Sequence, residues 1–392
     1  MPTNASPQMD SRRPAPGPLK ISATALRIVI AGGSTGGHLF PGIAIAEEFL
    51  RRNPDNRILF ASTGRRFELG VLAAKGFGHR SLRAEGLKGR GLLNQMRALA
   101  KIPAGLFDAI AILTSFQPHL VLGMGGYSAG PVALAAWLKG VAIALHEQNR
   151  IPGITNRLSA PLARRIYLSY ADDGRRFNPT KVRLTGNPVR SEIITCSQAT
   201  AGTASGPGGR RPFTILVVGG SQGAHRINLA VVDSLNKLAP QSDFYFIHQT
   251  GSDDEKAVKA AYRRLGRAAT VQAFFNDMHR QYDRADLIIC RAGATTVAEL
   301  TVIGKGIIFI PYPFAADNHQ VFNAQPLVDL GAAEMVLEKD LSGEVLADRI
   351  AYYAARPEAL KTMAQRARRL GRPAAAGAIV EDCYTLLAAS RQ

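Results

Sequence analysis

Leu26-Arg-Ile-Val-Ile-Ala-Gly-Gly-Ser-Thr-Gly-Gly-His38 decides how this chain is read. A short apolar, β-branched run breaks into Gly32-Gly-Ser-Thr-Gly-Gly37. Ile43, Ala46, Phe49 and Leu50 then recur at helical spacing. That order is strand, glycine turn, helix. It returns twice. His119-Leu-Val-Leu122 runs into Gly123-Met-Gly-Gly-Tyr-Ser-Ala-Gly130. Phe213-Thr-Ile-Leu-Val-Val218 runs into Gly219-Gly-Ser-Gln-Gly223, with a helix expected over 227–238. Segments 57–61, 141–145, 243–247, 287–290 and 306–310 read as further strands. Strands alternating with helices predict an α/β chain whose parallel sheets are covered on both faces.

The chain has 392 residues, so two domains are expected at roughly 100–200 residues each. The strand–turn–helix scheme restarts at residue 213, after the small, polar run Thr200-Ala-Gly-Thr-Ala-Ser-Gly-Pro-Gly-Gly209. This places an N-terminal domain at 26–190, a flexible linker at 191–212 and a C-terminal domain at 213–372. Residues 1–25, rich in Pro, Ser and Arg, read as a disordered tail. Residues 373–392 read as a terminal helix packing back on the N-terminal domain.

Lys and Arg outnumber Asp and Glu, 48 − 30 = +18. That balance favours anionic partners: nucleic acid, acidic lipid or phosphorylated substrates. Cys196, Cys290 and Cys383 lie far apart, which suggests neither a disulfide framework nor a zinc ribbon. The N-terminus lacks a signal-like apolar core. The apolar stretch 128–145 is interrupted by Pro131 and Lys139 and falls short of a membrane span. A soluble or peripheral protein is expected.

A glycine turn between strand and helix leaves backbone N–H groups pointing outward, beside the positive end of the helix. Tight turns need glycine anyway, but three such loops shift the balance toward phosphate binding. The dinucleotide spacing GxGxxG is absent, because Ser34 and Ser128 stand where glycine is required. A P-loop is excluded by His38 and Leu39 in place of its lysine and hydroxyl residue. Gly219-Gly-Ser221-Gln-Gly223 matches the GxSxG elbow of serine hydrolases, with His248, His279 and His319 downstream. That rival leaves the other two loops unexplained.

Cys290-Arg-Ala-Gly-Ala-Thr-Thr-Val-Ala-Glu299 puts a carboxylate in the first turn or so of a helix expected from about Thr295. There Glu299 is suited to a ribose while the helix start faces a diphosphate; the helix dipole alone also favours an acid there. His38 ends a phosphate-type loop and can take a proton near neutral pH. His146-Glu-Gln-Asn149 sets four polar side chains at a strand's carboxyl end, where open α/β sheets bind ligands. No Asp-x-Asp pair occurs, so neither a metal clamp nor a cofactor is expected.

These runs, with Gly186-Asn-Pro-Val-Arg190 and Asp317-Asn-His-Gln-Val-Phe-Asn-Ala324, resemble in order the motifs of bacterial undecaprenyl-diphospho-muramoylpentapeptide N-acetylglucosaminyltransferases. The resemblance covers about residues 26–372. It implies two Rossmann-like parallel-sheet domains facing a cleft, the glycosyltransferase B-type fold. It implies transfer of N-acetylglucosamine from UDP-N-acetylglucosamine to the muramoyl 4-hydroxyl of lipid I, giving lipid II with inversion. Another nucleotide-sugar transferase of this fold is the alternative. By motif, Thr35, Gly36 and Gly37 line the donor loop, and Asn149 and Arg190 face the donor. Ser221 meets the diphosphate, Phe275 offers a backbone contact to uracil, Ala294, Thr295, Thr296 and Glu299 hold the nucleotide, and Gln320 the sugar. Gly125, Gly126 and Tyr127 belong to the acceptor loop. Where some members carry Gln-Gln, this chain has His319-Gln320.

The implied single displacement needs a base for the acceptor hydroxyl: His38, with Glu147 as the alternative. Lipid I is an anionic lipid, which suits the basic charge and a peripheral place on the cytoplasmic face of the inner membrane. Between Lys88 and Ile110, Leu92, Leu93, Met96, Leu99, Leu106 and Phe107 interleave with Arg90, Arg97 and Lys101. That pattern fits an anionic membrane surface and equally an amphipathic core helix. A nucleic-acid module using the +18 charge is the non-enzyme rival. It lacks basic–aromatic interleaving, and no nucleic acid is expected.

Overall fold

The computed structural model describes residues 24–33, 35–84, 92–200, 211–239 and 242–389. Its first sheet holds β1 (Arg27–Ala31), β2 (Arg57–Ser62), β3 (Gly78–Ser81), β4 (Leu120–Gly123), β5 (Ala142–Glu147), β6 (Arg165–Leu168) and β7 (Val182–Leu184). The second holds β8 (Phe213–Val218), β9 (Phe244–Gln249), β10 (Ala269–Gln272), β11 (Leu287–Cys290), β12 (Gly306–Phe309) and β13 (Glu334–Met335). The orders are β3-β2-β1-β4-β5-β6-β7 and β10-β9-β8-β11-β12-β13. All pairings are parallel, β1 setting Ile28 against both Ile58 and Leu120. The fold is thus two Rossmann-like α/β domains.

The central strands are mostly apolar, with every residue of β1 after Arg27 buried, because both faces of each sheet are covered. In β1, Ile28 and Ile30 enter one core while Val29 and Ala31 enter another on the opposite face. In β8, Ile215 and Val217 divide from Leu216 and Val218 in the same way.

Two segments differ from the sequence reading. The expected linker from residue 191 opens instead with a helix, Ser191–Thr200. Its Ile193 is buried in the C-terminal core beside Val189 and Tyr282, so apolar packing holds residues whose neighbours looked like spacer. Residues 201–210 lie outside the described residues, as does the tail up to residue 23. The helix carrying Glu299 runs Ala294–Ile303 and puts that residue in its second turn, because Gly293 is already its N-cap.

The last helix, Ala375–Ala389, returns to the N-terminal domain. Ile379, Val380 and Cys383 are fully buried with Ile28 and Phe49. Tyr384 Oη accepts a hydrogen bond from Asn56 Nδ2 at 2.8 Å, and Asp382 accepts one from Tyr167 Oη at 3.0 Å. Burying three such side chains stabilises by roughly 1.5–3 kcal/mol each. Among the described residues, no helix is long and apolar enough to cross a membrane.

Candidate active site

Each sheet reverses its strand order once, between β1 and β4 and between β8 and β11. Open α/β sheets bind ligands at that crevice, outside the strands' carboxyl ends. The glycine loops leave there in pairs. Loop 32–37 follows β1 and loop 124–128 follows β4. They touch: at Gly32, with φ +121°, a Cβ would lie 2.5 Å from the Gly125 carbonyl oxygen. Only glycine allows that approach. Loop 219–223 and turn 291–293 form the second pair, after β8 and β11.

His38, in the first turn of the helix Gly36–Arg52, heads a directed hydrogen-bond chain. Gln148 Nε2 donates to the Met124 carbonyl at 2.9 Å, which fixes which end of the amide is nitrogen. The same nitrogen reaches His146 Nδ1 at 3.0 Å, so Nδ1 accepts. His146 Nε2–H then faces the Gly186 carbonyl at 3.3 Å. At the other end Gln148 Oε1 lies 3.0 Å from His38 Nδ1, which must carry the hydrogen. Neutral His38 therefore keeps its lone pair on Nε2. Burial holds the His38 pKa below its ordinary value, against the upward pull of Glu147 and Gln148. Burial drives His146 down to about 4, so this link stays neutral near pH 7.

Glu147 is differently placed. Its carboxylate is 2% exposed. Oε2 accepts from Gly153 N and Asn156 Nδ2 at 3.0 and 2.9 Å, and Oε1 from Asn149 N at 3.0 Å. Those donors make Glu147 a staple for the 148–156 loop, with its charge felt at His38. Asn156 Nδ2 also bonds the His146 carbonyl at 3.0 Å.

Hydrogen bonds from several elements close the cleft across the two domains. Thr295 Oγ1 donates to the Gly37 carbonyl at 3.0 Å. Asn323 Nδ2 donates to Asn149 Oδ1 at 3.1 Å, and Arg150 N donates to Asn323 Oδ1 at 3.0 Å. Arg190 Nε donates to Glu299 Oε1 at 2.8 Å, and the Arg190 guanidinium lies 4.5 Å over the Phe40 ring. Tyr282 Oη donates to Glu299 Oε2 at 3.2 Å. Burial opposes the Arg190 charge, but Glu299 more than offsets it and the pKa rises. Arg190 and Glu299 thus meet each other at the mouth of one site.

On the C-terminal side Ser221 is exposed in its turn. The Phe275 N–H donates to Gln249 Oε1 at 3.0 Å, leaving the Phe275 carbonyl for any base contact. Gln249 Nε2 also holds the Gly220 carbonyl at 2.9 Å. Ala294, Thr295 and Thr296 form the first turn of the helix Ala294–Ile303. Gln320 Oε1 accepts from Tyr312 N at 3.0 Å. Thr35 is the exposed N-cap of the helix Gly36–Arg52, with no side-chain cap. Tyr127 Oη accepts from Arg65 Nη2 at 2.9 Å beside Gly125 and Gly126. So His38, Gly37, Asn149, Arg190, Thr295 and Glu299 converge on the cleft; Ser221, Phe275, Gln320 and Tyr127 sit in their own loops.

Of the three histidines downstream of the GxSxG run, His248 is excluded by its surroundings. His248 is buried, with its ring nitrogens 3.0 Å from Asn228 Oδ1 and 3.2 Å from Tyr262 Oη. Burial pushes its pKa down to about 3. It is a core residue, with no nitrogen left for Ser221.

Gln148, Asn323 and Gln249 were not singled out from the sequence. Gln148 and Asn323 stand inside motifs read from the sequence, but Gln249 is the last residue of β9 and carries no local signal. Among the described residues no cluster of His, Cys, Asp and Glu is arranged to hold a metal.

Residues 28–168 match the glycosyltransferase family 28 N-terminal domain, and residues 214–378 match its C-terminal domain. The chain belongs to glycosyltransferase family 28. The family-28 modules fall one on each sheet, the first ending with β6 and leaving β7 outside, and the cleft lies between them. A relative from Syntrophus aciditrophicus is 45% identical over 92% of this chain and 99% of its own. It is named UDP-N-acetylglucosamine–N-acetylmuramyl-(pentapeptide) pyrophosphoryl-undecaprenol N-acetylglucosamine transferase. A relative of the same name from Myxococcus xanthus is 41% identical over 92% of this chain and 93% of its own. Among solved structures, MurG of Acinetobacter baumannii superposes with a TM-score of 0.70 at 29% identity, covering 91% of this chain and 98% of its own.

Proposed function

We propose that this family-28 chain transfers N-acetylglucosamine from UDP-N-acetylglucosamine to the muramoyl 4-hydroxyl of lipid I, forming lipid II with inversion. The observation that carries the mechanism is the His38 tautomer, set by Gln148 and placed where Gly37 meets Thr295. The acceptor hydroxyl attacks the anomeric carbon as UDP departs, and its proton passes to His38 Nε2. The resulting imidazolium keeps its Nδ1–H on Gln148 and faces the charge of Glu147. The start of the helix Ala294–Ile303, Arg190 and Ser221 offset the charge growing on the diphosphate. Glu299 holds the ribose, the Phe275 carbonyl the uracil and Gln320 the sugar. Gly125, Gly126 and Tyr127 receive the acceptor diphosphate. The chain is incubated with UDP-N-acetylglucosamine and a lipid I analogue, and UDP is measured. Release that requires the acceptor supports the reading; release indifferent to the acceptor, or none, sinks it.

The same reading places the protein at the cytoplasmic face of the bacterial inner membrane, as a peripheral protein that binds no nucleic acid. Support comes from the +18 charge and from exposed apolar side chains. Phe107, Trp137 and Leu138 are 71%, 54% and 56% exposed on the packed helices Leu92–Phe116 and Ala129–Leu138. The side chains of 92–102, and residues 85–91, lie outside the described residues. Charge reversal at Arg97 and Lys101 is expected to weaken binding to anionic vesicles; unchanged binding, or salt-dependent DNA binding instead, counts against this placement.

A further inference from the structure

We infer that a cavity behind the cleft, at the hinge between the domains, is a second ligand site for a small organic carboxylate. It measures about 270 Å³. Gly186 and Asn187 line it from the N-terminal side, Val297 and Thr301 from the helix Ala294–Ile303, and Arg372 from the segment leading to the last helix.

The hydroxyls of Ser169, Tyr170 and Thr301 are spent on the carbonyls of Glu147, Asn323 and Ala298, but two other polar groups there are not. Asn187 is 5% exposed, and neither its amide oxygen nor its nitrogen has a hydrogen-bond partner. A buried amide in that state is completed by an ordered water or a guest, and Asn187 differs from the other such groups in facing a cavity. Arg372 lies across Gly186, where a Cβ would stand 2.6 Å from Arg372 Cδ. Its guanidinium makes no hydrogen bond or ion pair among the described residues. Among the described residues no Asp or Glu lines the cavity, and Arg372 is exposed at its rim, with its charge free to meet an anion entering from solvent. The remaining wall includes Leu184, Leu327 and Leu370. A guanidinium and an amide beside an apolar wall suit a carboxylate with an apolar body. Inorganic phosphate would use only the polar half.

The cavity touches both halves of the reaction centre without belonging to either. Gly186, whose carbonyl ends the chain from His38, lines it. The helix Ala294–Ile303 turns Val297, Ala298 and Thr301 toward the cavity and Thr295 and Glu299 toward the cleft. A guest that prefers one hinge angle must alter donor affinity, and the donor must alter its affinity in return.

The test is calorimetric titration of the full chain with benzoate and, separately, with inorganic phosphate. Neither needs turnover, so failure here is distinct from failure of the transferase reading. Benzoate is expected to saturate one site. Arg372→Gln should weaken it roughly tenfold or more, and Ala298→Leu, which fills the cavity, should remove it. Bound benzoate should also change the Kd for UDP in the wild type and not in Arg372→Gln. Circular dichroism checks both variants; if Ala298→Leu does not fold, Arg372→Gln decides alone. No saturable benzoate binding, an unchanged Kd in folded Arg372→Gln, or phosphate binding as tight as benzoate overturns the assignment. A UDP affinity indifferent to benzoate overturns the coupling.

Discussion

A single carbonyl, that of Met124, sets the tautomer of His38 by fixing the Gln148 amide between them. With its nitrogen held by Met124, Gln148 turns its oxygen to His38 Nδ1 and its second N–H to His146 Nδ1. His38→Ala should lower kcat by roughly 10²–10⁴-fold. In the wild type the acid limb of the kcat profile should lie below the ordinary imidazole value, since burial lowers this pKa; the limb should vanish in the variant. Near-normal turnover with an unchanged profile would remove His38 from its role. Gln148→Leu frees the ring from its anchor and should lower kcat by up to about 100-fold, with donor KM close to wild type. A variant altered only in KM would show that Gln148 merely supports the loop. Burial of the neutral rings has a further effect. His146 and His248 have folded pKa values of about 4 and about 3, below the unfolded value near 6.5. Below pH 6.5 the unfolded chain therefore binds protons that the native chain refuses. Stability falls from there toward pH 4 by about 1.4 kcal/mol per unit for each histidine. Thermal melts between pH 7 and 4.5 should show Tm dropping, and less steeply in His248→Gln; a flat Tm would refute the burial argument.

The helix Ala294–Ile303 works on two sides at once, and its register explains both. Thr295 and Glu299, four apart, share the face toward the cleft. Thr295→Val removes the bond to Gly37, worth about 1 kcal/mol. The donor KM should rise by about fivefold with kcat little changed; steady-state kinetics reads this, and an unaltered KM would show that the bond does not hold the cleft. Elements of this kind were legible to unequal degrees. Strands β1, β8 and β11 announce themselves because both faces are buried and, Arg27 and Thr214 apart, every residue is apolar. β3 (Gly-His-Arg-Ser) and β7 (Val-Arg-Leu) are sheet edges with exposed positions, and β13 is two residues long; none carries the pattern. The loop residues Gly32, Gly125 and Ser221 could be read because each loop is continuous in sequence. The pairs Gly37–Thr295 and Asn149–Asn323 could not, since their partners are 258 and 174 residues apart and only the closed cleft brings them together.

At the scale of the molecule, the chain crosses between domains twice, once around residues 186–191 and again around 371–375. The second crossing delivers the helix Ala375–Ala389 to the N-terminal core. Ile379→Ala should cost about 2–5 kcal/mol and lower the melting of the N-terminal domain, although the residue belongs to the other end of the chain. Calorimetry that assigned the loss to the C-terminal domain would contradict the packing. Two crossings also restrain the opening of the cleft, which suits a hinge carrying Gly186 on one strand and Arg372 on the other.

The position of that last helix has a consequence for synthesis. Domains tend to fold in the order in which they leave the ribosome, N-terminal first. Here the sheet built from residues 27–184 waits for residues 379–383 to complete one face of its core. The domain that is translated first is therefore finished last, after its partner has had time to fold. Until then the surface around Phe49 and Ile28 stays open to chaperones, and a ribosome stalled before residue 379 emerges holds a chain with one completed domain and one not yet sealed.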